Sequence, residues 1–226
     1  MNKTKLRLSL LLLLGSIALG SCSRSGGNEF TAEGTITDAA GKTLYLETTD
    51  TDEPQLIDSV TLDEKGRFRF RREAHSYPAF YRLRLGESFI PFAADSLTHL
   101  TLSASGKDLF STYKIESGDE ANKQIREIGQ LRTATDKAIE AILTQLNNGT
   151  LDRGIALARI DSLSTLLKNT LTSKYIFSDP KGAAAYYALF QSYLGGTYFS
   201  IDHPGDDRAF AAVATAYDAF HPNAPY

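Results

Sequence analysis

Apolar and polar residues alternate strictly in the stretch GRFRFRR, with Phe68 and Phe70 on one side and Arg67, Arg69 and Arg71 on the other. A period of two marks a strand with one buried and one solvated face. The alternation recurs in KTLYLETT, where Leu44 and Leu46 oppose Tyr45, and in AFYRLRL, where Tyr81, Leu83 and Leu85 oppose Arg82 and Arg84. Phe30 to Ile36, Ile57 to Leu62, SLTHLTLSA and STYKIES read the same way. Turn chemistry separates them, as in DEKG, Asp63 to Gly66. About seven or eight short strands with no helical period between them predict an antiparallel sandwich or barrel over 29–116.

The period changes at Ser117. SGDE offers a capping box, with the Ser117 hydroxyl and Glu120 as the reciprocal partners. Beyond it Ile125, Ile128, Leu131, Ala138, Ile142 and Leu146 recur at helical spacing until NNGT breaks the run. A second helix is predicted from about Leu151 to Tyr175, with Ile155, Ala158, Leu163, Leu166, Leu167 and Leu171 as its core positions. A third is predicted over Ala183 to Leu194 and a fourth over Asp207 to Phe220. Short links between long amphipathic helices favour an antiparallel hairpin or small bundle over 117–226. The fold class expected is therefore α+β, strands first and helices after.

The first 28 residues belong to neither pattern. Lys3, Lys5 and Arg7 make a positive head, Leu8 to Leu14 an unbroken apolar run but for Ser9, and Gly20, Ser21 and Cys22 a small-residue end. That is the layout of a signal peptide over 1–21. The apolar run is too short for a helix to cross about 30 Å of hydrocarbon. Leu19-Gly20-Ser21-Cys22 resembles a lipobox, in which cleavage falls between Ser21 and Cys22 and the Cys22 sulfur receives a diacylglycerol. Residues 22–28 would then be a lipidated tether. Losing residues 1–21 removes three positive charges and no negative one, taking the formal net charge from −3 to −6. The lipid, not a basic patch, would hold the membrane. No acidic cluster follows Cys22, which favours a periplasm-facing attachment.

Cys22 is the only cysteine of the chain. An internal disulfide, a Cys-x-x-Cys redox pair and a cysteine-rich zinc site are thereby excluded within these 226 residues. The acidic balance argues against nucleic acid as a partner, since phosphate recognition needs a basic footprint.

FTAEGTI, GKTLYLE, LIDSVTLDEKGRFRF and YPAFYRLRL, taken in order, resemble the N-terminal module of thioredoxin-like envelope lipoproteins of the thiol–disulfide interchange and AhpC/TSA-type group. YIFSDPKGAAAYYAL and FHPNAPY are similar to the helical region that follows it there. The resemblance implies an envelope lipoprotein whose partner is a thioredoxin-fold domain with a Trp-Cys-x-x-Cys site. That site is absent from this chain, so the redox activity cannot be carried over. The function expected is a non-catalytic accessory or positioning module, with a stand-alone binding protein for a peptide or glycan as the alternative. No catalytic residue and no cofactor are assigned.

Three features carry candidate chemistry. IDHPGDD gathers Asp202, His203, Asp206 and Asp207, a set able to hold a divalent cation. The plainer reading is a turn with an aspartate capping the fourth helix. AAAYYALFQSY places Tyr186, Tyr187, Phe190 and Tyr193 close together, either as a groove for a ligand or as an interface between elements. Arg67, Arg69, Arg71, Arg72, Arg82 and Arg84 make either a basic stripe or a solvated face paired with acidic neighbours.

Overall fold

The computed structural model describes residues 28–49, 53–193 and 196–225. The leader, the Ser21–Cys22 cleavage point and the Cys22 lipidation site expected from the sequence lie outside the described residues. The architecture is α+β, with strands in the N-terminal half and helices in the C-terminal half.

Eight strands build the first half: β1 (Glu29–Thr37), β2 (Thr43–Thr48), β3 (Gln55–Thr61), β4 (Arg67–Glu73), β5 (Ala79–Leu85), β6 (Ser88–Ala94), β7 (His99–Ser105) and β8 (Lys114–Ile115). They form two four-stranded sheets, ordered β4-β1-β7-β8 and β3-β2-β5-β6. Phe30, Phe70 and Leu100 of the first sheet and Leu46, Leu83 and Ile90 of the second belong to one buried cluster. The two sheets are therefore a sandwich. Each alternating strand offers one apolar face, and stacking removes both from water at about 25 cal/mol per Å².

The pairing is not uniformly antiparallel, which corrects the sequence expectation. β1 runs parallel to β7, from Thr31 opposite His99 to Thr37 opposite Ser105. The chain between them crosses through the second sheet, and strand partners that far apart leave no trace in local alternation. Strand β6 also escaped the pattern. Pro91 interrupts it, and it survives as a strand because it lies at a sheet edge, where a missing N–H costs no ladder bond. In STYKIES only Lys114 and Ile115 pair; Leu109–Thr112 is one helical turn, α1, whose N-cap Asp108 accepts from the Ser111 N–H at 3.2 Å. The DEKG turn depends on Gly66. Its φ is +73°, and a Cβ there would lie 2.0 Å from the Ile36 carbonyl oxygen.

The helices are α2 (Glu120–Asn147), α3 (Arg153–Leu171), α4 (Ala183–Leu189) and α5 (Asp207–Phe220), the last with the bounds expected. A wide π-turn, Thr172–Ile176, continues α3. Helix α2 does not start from a Ser117 capping box: the Asp119 carboxylate accepts from the Asn122 N–H at 2.9 Å instead. An aspartate directly before the first helical residue is as good an acceptor as a serine two places earlier, and closer. The third helix stops at Leu189, short of the expected end. Ser192–Tyr193 (β9) and Gly196–Thr197 (β10) pair instead as a small hairpin. In α3 the expected core face is only half right. Leu167 and Leu171 are buried, while Ile155 and Leu166 are 50% and 64% exposed. Apolar and polar residues are interleaved all round the helix, so spacing alone does not select the side that packs on α2. Among the described residues no helix is long and apolar enough to cross a membrane.

The helices pack on the outward face of the second sheet. Phe80 of β5 and Ala93 of β6 belong to the helical core, with Ile125 and Ile128 of α2 and Ala184 and Ala188 of α4. Asn122 fastens this seam and is 2% exposed. Its Oδ1 accepts from the Ala93 N–H at 2.8 Å, and its Nδ2 donates to the Ala93 carbonyl at 2.8 Å. The amide thus reproduces the two bonds a neighbouring strand would make, and satisfies the edge of β6 where a helix covers it. Asp119 holds the amide in that orientation by accepting from Nδ2 at 2.8 Å. A few residues on, Arg126 donates to the Tyr113 carbonyl and lies over the Tyr113 ring at 5.3 Å.

Candidate functional site

Helix α4 reads AAAYYAL. Its alanines Ala183, Ala184, Ala185 and Ala188 are all buried, so the helix sits close against its neighbours. Tyr186 and Tyr187 are then the only large side chains before Leu189, and Tyr186 is thrown against the sandwich. Its ring stacks on Phe80 with centroids 5.3 Å apart, and meets Phe190 at 4.7 Å and Tyr217 at 5.3 Å. The turn after α4 is held by Gln191, whose Nε2 donates to the Tyr187 carbonyl at 2.7 Å. Phe190 remains 53% exposed at that turn.

Between this aromatic ridge and the outer face of β5–β6 lies a groove of about 540 Å³. Phe80, Phe89 and Pro91 line it from the sandwich, and Tyr186, Tyr187 and Phe190 from the helical side. Its charged lining residues are Arg82 and Arg132. Arg82 is set by Glu47, which is 5% exposed and receives Arg82 Nε at 2.5 Å and Arg84 Nη2 at 2.7 Å. Burial pushes the Glu47 pKa up, but the bonds from Arg84 and Arg82 outweigh it and hold the carboxyl below the usual glutamate value of 4.5. Arg82 and Arg84 also lie over the rings of Phe89 and Tyr45, at 5.1 and 4.4 Å. Arg132 is set by Asp136 at 2.6 Å, and Asp136 in turn accepts from the Tyr198 hydroxyl at 2.8 Å. On the far side of the ridge a second groove of about 510 Å³ runs along α5, lined by Tyr186, Phe190, Phe210 and Tyr217 with Asp207 and Asp218.

The structure thus brings together Tyr186, Tyr187 and Phe190 of the tyrosine-rich stretch. Tyr193 lies further along, in β9. Arg82 was legible only as one of the six arginines of a candidate basic stripe, and Arg132, Phe80 and Phe89 were not legible as site residues. In sequence Arg132 is only one charge on a long helix.

The Asp202–Asp207 loop is organised differently from either sequence reading. Asp206 is 7% exposed, yet its carboxylate does not cap α5. It pairs with Lys168 Nζ at 2.8 Å and accepts from the Ser200 N–H at 3.1 Å, pinning the loop back onto α3. Burial raises the pKa of Asp206, and Lys168 together with the Ser200 amide overcomes this and lowers it below the ordinary 3.8. Asp202, His203 and Asp207 are exposed around it, and His203 Nδ1 comes no nearer to Asp206 than 3.8 Å. Among the described residues no group of three or more His, Cys, Asp or Glu side chains is placed to hold a metal ion. Lys168→Met strands the Asp206 carboxylate in a mostly buried place and is expected to cost about 2–3 kcal/mol at pH 7. Because the folded pKa is depressed, that loss is present above the usual aspartate range and fades as pH falls through the folded value. Urea titrations of both proteins at pH 7 and pH 3 check it.

The arginines do not make one stripe. Arg67, Arg69 and Arg71 pair with Asp63, Glu33 and Glu29 on the outer face of the first sheet. Arg72 pairs with Asp58, and Arg82 and Arg84 sit on the outer face of the second sheet with Glu47. Pairing with acidic neighbours holds for all six, and a solvated face for Arg67, Arg69 and Arg71. No family model, no curated protein and no solved structure matches the chain.

Proposed function

We propose that this protein is a lipid-anchored, non-catalytic module of the bacterial cell envelope, which positions a thioredoxin-like domain or another envelope protein near the membrane. The observation that carries the reading is a groove built jointly by the sandwich and the helices, with an exposed aromatic ridge beside it, on a body latched across its seam by Asn122. Such a surface binds; it has the aromatic and guanidinium content of interface anchors. The leader and Cys22 supply the address, and tethering raises the effective concentration of whatever is bound. The lone cysteine supports a role without thiol chemistry of its own.

Three experiments test this. Cys22→Ser, expressed in the native cells, is expected to move the protein from the membrane to the soluble fraction. Mass spectrometry of the wild-type N-terminal peptide is expected to carry a thioether-linked diacylglycerol, and a free thiol there overturns the anchor. A photo-reactive phenylalanine in place of Phe190 is expected to cross-link a thioredoxin-fold or other envelope protein in intact cells. The groove also favours a second reading, a self-sufficient binding protein for a peptide or glycan.

A further inference from the structure

We infer that the groove between the second sheet and α4 is a peptide site that selects a carboxylate side chain next to an aromatic or branched apolar one. The inference deepens the second of the two readings above and rests on it.

The charge of the lining is one-sided. Arg82 and Arg132 line the groove and, among the described residues lining it, none is acidic. The carboxylates that orient these two arginines lie beneath them: Glu47 and Asp136 are 5% and 8% exposed. A ligand in the groove therefore meets guanidinium edges rather than the buried acids. Glu47 takes Arg82 at Nε, and a guanidinium carries five N–H donors in a planar fork suited to a second carboxylate. Arg84, on the same Glu47, leaves the cluster of two arginines and one glutamate with a surplus positive charge. The other groove shares the Tyr186–Phe190 ridge but carries Asp207 and Asp218 in its wall. The apolar half of a ligand fits both; the anion distinguishes them.

The edge of β6 decides how a peptide would lie. Ala93 already spends its outward N–H and carbonyl on Asn122. Pro91, two residues away and therefore facing the same way, has no N–H to give. Strand addition along this edge is blocked. Recognition runs through side chains: an apolar one between Phe89, Phe190 and Tyr186, and an acidic one on Arg82 and Arg132.

The test is selection of a displayed random heptapeptide library on the full chain in detergent, followed by fluorescence-anisotropy titration of the consensus peptide. The expected consensus holds Asp or Glu beside an aromatic or branched residue. Changing that acid to its amide, or Arg132→Gln or Phe190→Ser in the protein, is expected to weaken binding about tenfold or more. Arg69→Gln, on the opposite sheet, is expected to change nothing. Circular dichroism and urea midpoints show that each variant is folded. No enrichment, a consensus without an acid, or unchanged affinity in Arg132→Gln overturns the proposal. So does an oligogalacturonate that binds where no peptide does, which would make the groove a glycan site. The assay does not involve the anchor, so a free thiol at Cys22 would remove the envelope reading and leave this result standing.

Discussion

Replacing Asn122 by leucine is expected to cost about 2–5 kcal/mol, more than any other single polar substitution in the seam. The reason is what remains, not what is removed. Leucine matches the volume of the amide but leaves the Ala93 N–H and carbonyl inside a covered edge with no partner. Each buried backbone group without a bond costs about 1–3 kcal/mol, and Phe80, Ile125 and Ile128 of the same core offer no replacement donor or acceptor. Asn122→Asp fares no better, because the carboxylate accepts from the Ala93 N–H but faces the Ala93 carbonyl with a second acceptor. Equilibrium urea unfolding measures the loss. Native-state hydrogen exchange locates it: the Ala93 amide is protected in the wild type and exchanges early in the variant, while amides of β1 in the sandwich interior keep their protection. A midpoint within the error of the wild type would mean that the helices are held to the sandwich by apolar contact alone.

The latch marks where sequence reasoning stops. The faces of the strands were legible because alternation is a local property. Phe68 and Phe70 are buried and Arg67, Arg69 and Arg71 are exposed, as the two-residue period requires. Leu44, Leu46, Leu83 and Leu85 follow the same rule. The last helix was legible to the residue, because Phe210, Val213 and Tyr217 keep one clear stripe. Pairing was not: β1 beside β7 joins segments about seventy positions apart. Nor was the seam, since an asparagine near a helix start is ordinary in sequence and acquires its role only when an edge strand arrives against it. The site was half legible for the same reason. Tyr186, Tyr187 and Phe190 announce themselves as a cluster within one short stretch. Arg82 and Arg132, fifty positions apart, become one wall only when the second sheet and α2 are packed together.

Glu47→Gln is expected to cost about 2–3 kcal/mol at pH 7 and progressively less as the pH falls below the ordinary glutamate range. Glutamine keeps the shape and one acceptor but removes the charge that offsets two guanidiniums held against it. A mostly buried cation left without its partner is destabilising by several kcal/mol, reduced here because the Arg82 and Arg84 side chains retain 22% and 30% of their exposure. The pH dependence fixes the cause. Glu47 titrates lower in the folded protein than its ordinary 4.5. Its contribution is therefore complete above the unfolded value and is lost as pH falls through the folded one. Once the wild-type carboxyl is protonated it resembles the glutamine, so the urea midpoints of the two proteins converge on acidification. A gap that stayed constant from pH 7 to pH 3 would show that packing, and not the charge, makes Glu47 matter. The same substitution also loosens Arg82 from its seat in the groove wall. Stability lost only above the folded pKa, together with weaker capture of an acidic peptide at neutral pH, would tie the buried carboxylate to both the sheet and the site it supports.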